Sequence, residues 1–230
     1  MSERENILAR IREALRIAAP FPGKHDGQDH PVHASARFAA PGARAWLPPV
    51  GSTFAEHVQT FAANAAELKA DFYLLEEPGA LVPLLRKLRD VEGWQRIASH
   101  AGQLTETALQ ALDLSALRTD QPYDVNALES CDVGISECDA LVAQTGTVLV
   151  TGRSAGGRAL SVLPPHHVVL ARREQLVADL PAAFELLQTK YGGNYPSFIS
   201  LITGPSRTGD IERILVLGAH GPKKLTIICL

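Results

Sequence analysis

The chain has 230 residues, of which 46% are hydrophobic and 20% are charged, and its formal net charge is -3. This balance is that of a globular protein with one large or two small domains, and it argues against nucleic acid as the main partner, because phosphate backbones select basic surfaces. No apolar run approaches the ~20 residues of a membrane span, and the charged first residues lack a signal-peptide core, so a cytoplasmic location is expected.

Two different segments precede the compact part of the chain. Residues 2–17 are predicted to form a helix, because apolar residues recur on one face after a capping-box pair. Residues 18–52 are interrupted by prolines and glycines, which predicts a long irregular linker. We therefore expect an N-terminal helix and linker over 1–52, followed by one folded domain over 53–230.

The histidines and cysteines give little support for a metal site. His25, His30 and His33 lie in the predicted linker, and although a metal site there is conceivable, histidines in such a segment are usually solvated. The three cysteines are odd in number and form no CxxC pair, which argues against a disulfide framework, a zinc ribbon or an iron–sulfur cluster held by this chain alone. No metal and no cofactor are therefore expected.

From residue 53 onward, helical and strand patterns alternate. Thr53 and Glu56 form a capping box before an amphipathic helix, and a short strand follows over 71–75. Several later strands are nearly continuous apolar runs, which is typical of a sheet covered on both faces. The pattern predicts an α/β fold, a mostly parallel sheet flanked by helices. The strands predicted in the second half are 133–136, 147–151, 167–171, 197–203, 214–218 and 225–230.

The first candidate for acid–base chemistry lies where a predicted strand ends at Glu137. A short segment then leads to Thr145, Gly146 and Thr147, where a glycine allows close backbone approach and two hydroxyls can bind a ligand. Glu137 is the candidate general base, or it binds substrate hydroxyls. The alternative is a hairpin turn beside a solvated acid.

Two further segments in the middle of the second half carry candidate ligand groups. Residues 152–158 contain three glycines, one serine and two arginines, which suits a loop that closes over an anion or a flexible turn. His166 follows two prolines and could act as an acid or base near neutral pH, although a structural histidine is the alternative.

The most informative motif is the run Thr203-Gly204-Pro205-Ser206-Arg207-Thr208-Gly209-Asp210-Ile211. A strand that stops in a glycine turn, before hydroxyls, an arginine and a short helical start, is typical of small-anion sites in α/β proteins. A surface turn is the alternative, since the same residue types are common in turns and caps. The candidate ligand residues here are Gly204, Ser206, Arg207, Thr208 and Asp210, with His220 in a later turn.

Several familiar fingerprints are missing from the sequence. There is no GxGxxG after a first strand, no GxxxxGK[ST], no GxSxG and no HExxH. Their absence removes the commonest dehydrogenase, kinase, hydrolase and metalloprotease interpretations.

Four motifs, taken in order, resemble the LutC/YkgG family, the LUD-domain or lactate utilization proteins. The resemblance is strong over roughly residues 120–230. It implies a NagB/RpiA/CoA-transferase-like fold, similar to ribose-5-phosphate isomerase, glucosamine-6-phosphate deaminase and CoA transferases and close to formyltetrahydrofolate cyclo-ligase. The motifs are Cys138-Asp139-Ala140-Leu141-Val142-Ala143-Gln144-Thr145-Gly146-Thr147, Leu163-Pro164-Pro165-His166-His167, Gly204-Pro205-Ser206-Arg207-Thr208-Gly209-Asp210-Ile211-Glu212 and Leu217-Gly218-Ala219-His220-Gly221-Pro222.

The resemblance also implies a role in bacterial L-lactate oxidation to pyruvate, together with two iron–sulfur partner proteins, LutA-like and LutB-like. Our preferred interpretation is a non-redox subunit that binds lactate, pyruvate or a related small anion, and a homo-oligomer is compatible with it. The second interpretation is a stand-alone enzyme on a phosphorylated, CoA-linked or folate-type substrate, which requires Glu137 and Arg207 in one cleft. The third is a structural module that docks through its N-terminal helix and linker.

Overall fold

The computed structural model describes residues 3–14, 48–209, 215–218 and 220–230. The chain divides into two compact units, residues 1–43 and 44–230. In the first unit, helix α1 (Glu3–Ala14) agrees with the helix predicted from the sequence. The end of that predicted helix, the linker as far as residue 47 and the three linker histidines lie outside the described residues.

A six-stranded parallel sheet forms the centre of the second unit. Its strands are β1 (Asp71–Leu74), β2 (Ile97–Ser99), β3 (Ala116–Arg118), β4 (Val133–Glu137), β7 (His166–Ala171) and β12 (Lys224–Cys229). They lie in the order β1-β12-β7-β4-β2-β3, and every neighbouring pair is parallel. The α/β fold with a mostly parallel sheet is therefore confirmed.

Helices cover both faces of this sheet, as in most parallel sheets. Successive residues of a buried strand therefore pack against helices on opposite sides. On β7, Val169 packs into the apolar cluster that holds Phe61, whereas the adjacent Val168 packs into the cluster that holds Leu85. Among the described residues no helix is both long and apolar enough to cross a membrane. The helices are α2 (Phe54–Glu67), α3 (Leu81–Glu92), α4 (Gln103–Leu112), α5 (Val125–Glu129) and α6 (Leu180–Tyr191).

The capping box at the start of α2 is confirmed. The Thr53 side chain accepts a hydrogen bond from the Glu56 backbone N–H, and the Glu56 carboxylate accepts one from the Thr53 backbone N–H. The two residues thereby satisfy backbone donors that a helix start leaves unpaired, which fixes where α2 begins.

A second, four-stranded sheet packs beside the first. Its strands are β5 (Ala140–Val142), β6 (Thr147–Thr151), β8 (Leu176–Val177) and β9 (Ile199–Ile202), in the order β8-β5-β6-β9. Helix α6 buries Ala183 and Leu187 against this sheet. Only Cys138 and Asp139 separate β4 from β5, so the chain passes from one sheet to the other within two residues.

A short hairpin departs from the sequence prediction. It consists of β10 (Arg207–Gly209) and β11 (Leu215–Leu217). The sequence predicted a short helical start after the hydroxyls and the arginine of this motif; Arg207–Gly209 is a strand, and the residues after it, 210–214, lie outside the described residues. Antiparallel pairing with the apolar run of β11 supplies hydrogen bonds that a single helical turn could not match. Asp210 lies outside the described residues.

Candidate functional site

A pocket opens at the carboxyl edge of the parallel sheet, where the direction of the chain changes. From β2 the chain continues to β3 on one side, whereas from β4 it continues through the second sheet to β7 on the other side. Such a switch point leaves a crevice, which is where open α/β sheets bind ligands. The cavity has a volume of about 400 Å³, and its lining includes His100, Glu137, Arg153, Arg172, Lys190 and Tyr191.

Glu137, the predicted catalytic residue, lines this pocket at the end of β4. Its Oε1 accepts a hydrogen bond from the backbone N–H of Leu104 at 2.7 Å. Its Oε2 lies 3.6 Å from Nη1 of Arg172. One oxygen therefore caps the first turn of α4, and Oε2 is the oxygen available for a ligand or an acid–base step.

His100 follows β2 and forms part of the pocket wall. Its Nε2 accepts a hydrogen bond from the backbone N–H of Glu137 at 3.3 Å, and its Nδ1 lies 3.1 Å from the carbonyl oxygen of Ala101. These contacts assign a neutral ring with its proton on Nδ1. Burial lowers the pKa of His100, which agrees with this assignment. His100 therefore fixes the end of β4 without adding charge to the pocket.

A buried carboxylate, Asp139, lies behind the pocket lining. Its Oδ1 accepts hydrogen bonds from Nζ of Lys190 at 2.6 Å and from the hydroxyl of Tyr191 at 2.7 Å, and its Oδ2 accepts one from Oγ of Ser154 at 2.6 Å. Burial by itself raises the pKa of the Asp139 carboxyl, but these hydrogen bonds outweigh it and hold the pKa below its ordinary value. Asp139 therefore fixes three groups that line the pocket.

Two cations share the aromatic ring of Tyr191. The guanidinium carbon of Arg153 lies 5.2 Å from the ring centroid, and Nζ of Lys190 lies 5.5 Å from it. Lys190 is paired with Asp139 and Arg172 with Glu137, whereas Arg153 has no carboxylate partner in the described part of the chain. Three cationic side chains thus meet two carboxylates, which leaves one positive charge uncompensated.

The loop that carries Arg153 and Ser154 is fixed at two points. Oγ of Ser154 accepts a hydrogen bond from the backbone N–H of Thr151 at 2.9 Å. Gly156 adopts φ +63°, and a Cβ there would lie 2.4 Å from Cβ of His100. A glycine is therefore required where the loop crosses the end of β2, and this crossing brings Arg153 over the pocket.

The predicted ligand residues Thr145, Gly146 and Thr147 lie against α2 and do not line the pocket. Nδ2 of Asn64 donates hydrogen bonds to the carbonyl oxygens of Ala143 and Gln144, at 2.9 and 3.0 Å. Oγ1 of Thr147 lies 2.9 Å from Oγ1 of Thr203. In this structure the motif joins the second sheet to helix α2.

Replacing Gly146 with Ala is expected to lower the free energy of unfolding by about 2–4 kcal/mol. Gly146 adopts φ +62°, and a Cβ there would lie 2.8 Å from Cβ of Asn64 and 3.1 Å from the backbone nitrogen of Ala65. Urea denaturation measures the loss. Gly193→Ala is the control, because Gly193 also has a positive φ but nothing lies within 4 Å of its Cβ position. Equal losses in both variants would contradict the role of close packing.

His166 lies at the opposite, amino edge of the parallel sheet. It is the first residue of β7, whereas Glu137 pairs with Leu170, four residues further along the same strand. Roughly 13 Å along the strand direction therefore separates His166 from Glu137. Nε2 of His166 lies 2.9 Å from Oγ1 of Thr226, and burial lowers the pKa of His166 to about 4. His166 is therefore a buried, hydrogen-bonded group that does not reach the pocket.

The turns that contain Ser206 and His220 also lie at this amino edge. The backbone N–H of Ser206 donates to the carbonyl oxygen of Pro222 at 2.9 Å, and the backbone N–H of Lys223 donates to that of Pro165 at 2.8 Å, just before β7. His220 is exposed in the turn that ends at Pro222. These contacts place both turns beside the starts of β7 and β12.

Gly204 and Arg207 belong to the same end of the sheet. Gly204 adopts φ +85°, and a Cβ there would lie 3.0 Å from the carbonyl oxygen of Leu68, shortly before β1 begins. Thr208 lies within β10. The structure therefore brings Gly204, Ser206, Arg207 and His220 to one edge and Glu137 to the other.

The cysteines lack the properties of nucleophiles. Cys131, Cys138 and Cys229 are free and buried. Burial raises the pKa of the Cys138 thiol far above its ordinary value and that of Cys229 to about 11, so neither forms a thiolate readily near neutral pH. Across the described ranges, no group of three or more His, Cys, Asp or Glu residues could hold a metal ion.

Comparison with known proteins gives one family and several relatives. The LUD domain family model matches residues 97–230. The chain is 37% identical over 107 residues to "Lactate utilization protein C" of Geobacillus kaustophilus, which covers 46% of this chain and 45% of that protein. It is 37% identical over 110 residues to the protein of the same name in Shouchella clausii, covering 47% of this chain and 48% of that one. These alignments thus span just under half of either relative.

Two further matches extend over more of the chain. An uncharacterized protein of Neisseria meningitidis serogroup B is 27% identical over 237 residues, which covers 100% of this chain and 94% of that protein. The crystal structure of a DUF162 family protein from Deinococcus radiodurans superposes with a TM-score of 0.59 at 20% identity, covering 78% of this chain and 99% of that one. The second match establishes a shared fold.

Proposed function

Because the chain belongs to the LUD domain family, we propose that it is a component of a lactate utilization system and binds a small anion at the carboxyl edge of its parallel sheet. The name of the relatives from Geobacillus and Shouchella supports the role in lactate utilization. The family match also includes every residue of the pocket described above. The iron–sulfur partners, LutA-like and LutB-like, belong to this proposal and carry its redox step.

The observation that carries the ligand proposal is the uncompensated charge of Arg153. Its guanidinium carbon and Nζ of Lys190 lie 5.2 and 5.5 Å from the ring centroid of Tyr191, and Lys190 is already paired with the buried Asp139. A ligand carboxylate in the pocket would accept hydrogen bonds from Arg153 and compensate its positive charge. Arginine is well suited to this contact because its planar fork matches a carboxylate.

The pocket lining also offers groups for a second polar atom of the ligand. Oε2 of Glu137 can accept a hydrogen bond from a ligand hydroxyl, and Arg172 can donate one to a carbonyl oxygen. A hydroxy acid and the corresponding oxo acid therefore each find a partner. The cavity of about 400 Å³ also admits monocarboxylates larger than three-carbon acids.

Replacing Arg153 with Ala is expected to weaken anion binding at least tenfold, about 1.4 kcal/mol or more, because it removes the only uncompensated cation from the described pocket lining. Binding is measured as thermal stabilisation by lactate, pyruvate, a sugar phosphate, a CoA ester and a folate. Arg207→Ala is the matched control, since it removes the same kind of side chain at the other edge of the sheet.

The outcomes separate the two sites. Stabilisation that is lost in Arg153→Ala and kept in Arg207→Ala supports the pocket at the carboxyl edge. The reverse pattern would assign the anion to the turn at Gly204, the motif favoured by sequence alone. No stabilisation of the wild-type chain by any compound would contradict anion binding by this chain on its own.

The alternative of a stand-alone enzyme receives less support from the geometry. It requires Glu137 as a base and the Arg207 turn as the anion cradle of one cleft, because acid–base catalysis works at hydrogen-bond reach. Glu137 ends β4 at the carboxyl edge, whereas the Arg207 turn contacts Pro222 and Leu68 at the amino edge. We therefore favour the anion-binding component.

A further inference from the structure

The charges of the pocket indicate which anions it selects. We propose that Glu137 is a specificity residue that makes the pocket prefer monoanions and discriminate against dianions such as phosphate monoesters. The inference rests on the proposed anion site and goes further, because it assigns Glu137 a role in ligand choice that is separate from acid–base chemistry.

The charged side chains of the pocket carry one net positive charge. Lys190 is neutralised by Asp139, and Arg172 faces Glu137, so Arg153 supplies the net charge. One ligand carboxylate brings this set of groups to neutrality. A dianion would leave a surplus negative charge in a partly buried cavity beside Glu137, and an unpaired charge removed from water is costly.

Glu137 is held in place, so it cannot easily leave the pocket when a ligand binds. Its Oε1 is held by the N–H of Leu104 at 2.7 Å, and the N–H of Thr105 lies 3.5 Å away. The backbone of Gly102 passes directly beside it, since a Cβ at this glycine would lie 2.4 Å from Oε1. The side chain of Glu137 is only 16% exposed. Its carboxylate is therefore a fixed part of the pocket wall.

Three charged side chains near the pocket, Asp120, Arg118 and Glu106, do not change its net charge. Asp120 accepts a hydrogen bond from the backbone N–H of Ala101 and pairs with Arg118, which also pairs with Glu106. None of these three side chains lines the cavity. Both acids are partly exposed, with side-chain exposures of 33% and 48%, so solvent screens them more strongly than Glu137.

The test compares Glu137→Gln with the wild type. Glutamine keeps an oxygen that can accept the hydrogen bond from Leu104, so the start of α4 is preserved while the negative charge is removed. The matched control is Glu174→Gln, because Glu174 is exposed and does not line the pocket. Calorimetry at one fixed ionic strength then gives the affinities for lactate, pyruvate, malonate and glycerol phosphate.

The wild type is expected to bind the two monocarboxylates more tightly than malonate or glycerol phosphate. In Glu137→Gln the ratio of affinities should move toward the dianions by about fivefold to tenfold, as expected for one charge removed at close range in a partly buried site. Glu174→Gln should leave the ratio unchanged.

Three outcomes would overturn the proposal in different ways. Equal wild-type affinity for monoanions and dianions would contradict the selectivity while leaving the anion site intact. Equal weakening of all four ligands in Glu137→Gln would make Glu137 an ordinary contact residue. Absence of any binding by the wild type would overturn the anion site itself, and the selectivity with it.

Discussion

Replacement of Asp139 by Ala should lower the free energy of unfolding by about 2–4 kcal/mol. The variant leaves the hydroxyl of Tyr191 and Oγ of Ser154 without the acceptor that now lies 2.7 and 2.6 Å away. The contribution of Lys190 is smaller, because 48% of its side chain is exposed and water can replace the carboxylate. Denaturation in urea, with the midpoint and slope fitted together, measures the loss.

The control for Asp139 is an aspartate in an exposed ion pair. Asp90 lies 2.9 Å from Arg89, but 66% of its side chain is exposed. Asp90→Ala is therefore expected to change stability by less than about 0.5 kcal/mol. A comparably small effect of Asp139→Ala would show that the buried hydrogen bonds contribute little.

The wild type and Asp139→Ala should also differ in how their stability responds to acid. Because the folded-state pKa of Asp139 lies below its unfolded value, its contribution is present above the unfolded pKa of about 3.9 and is lost as the pH falls through the lower, native value. The stability difference between wild type and Asp139→Ala should therefore shrink when the pH is lowered from about 7 to about 3. A difference that stays constant would contradict the depressed pKa.

Replacement of Gly156 by Val is expected to cost about 3–5 kcal/mol of stability and to weaken anion binding more than tenfold. The backbone there has φ +63°, and a Cβ would lie 2.4 Å from Cβ of His100 and 2.7 Å from Oγ1 of Thr119. Relief of these contacts must move the loop that carries Arg153. Urea denaturation and calorimetry measure the two effects.

Gly157→Val separates the contact with His100 from the effect of backbone conformation. Gly157 also has a positive φ, +104°, but nothing lies within 4 Å of its Cβ position. Gly157→Val should therefore lose stability only through backbone strain, and this loss should be smaller than that of Gly156→Val. If the two variants behave alike, close packing of the loop on His100 is not what positions Arg153.

Long apolar runs explain why much of the fold could be predicted from sequence. The runs that became β4, β7 and β12 are fully buried along most of their length, so apolar character alone marks them. By contrast, β5 has three residues and β8 has two, which is too short for any period to appear. Their existence depends on pairing within the second sheet, a tertiary effect.

The candidate site was only partly visible in the sequence for a similar reason. Glu137, which the sequence predicted, directly follows a predicted strand, and so does Arg172, which it did not predict. Because the carboxyl ends of parallel strands meet at one edge, the same rule could also have found Arg172. Lys190 carries no such signal, because it reaches Asp139 only through the packing of α6 on the second sheet.

The glycine motifs show a different limit of sequence reasoning. Gly146 and Gly204 both adopt positive φ and both approach another segment closely, as predicted for ligand-binding turns. The neighbour that approaches them, however, is helix α2 or Leu68, the residue that follows it, rather than an open cavity. A sequence records that a close approach is needed, but not which group makes it.

The position of β12 has a consequence for synthesis of the chain. This strand lies between β1 and β7, yet it is synthesised about 150 residues after β1. Until then β1 has no neighbour on the sheet, and β7 presents an unpaired, apolar edge. Such edges invite association with other chains, so a partly synthesised chain that still lacks β12 is expected to be prone to association.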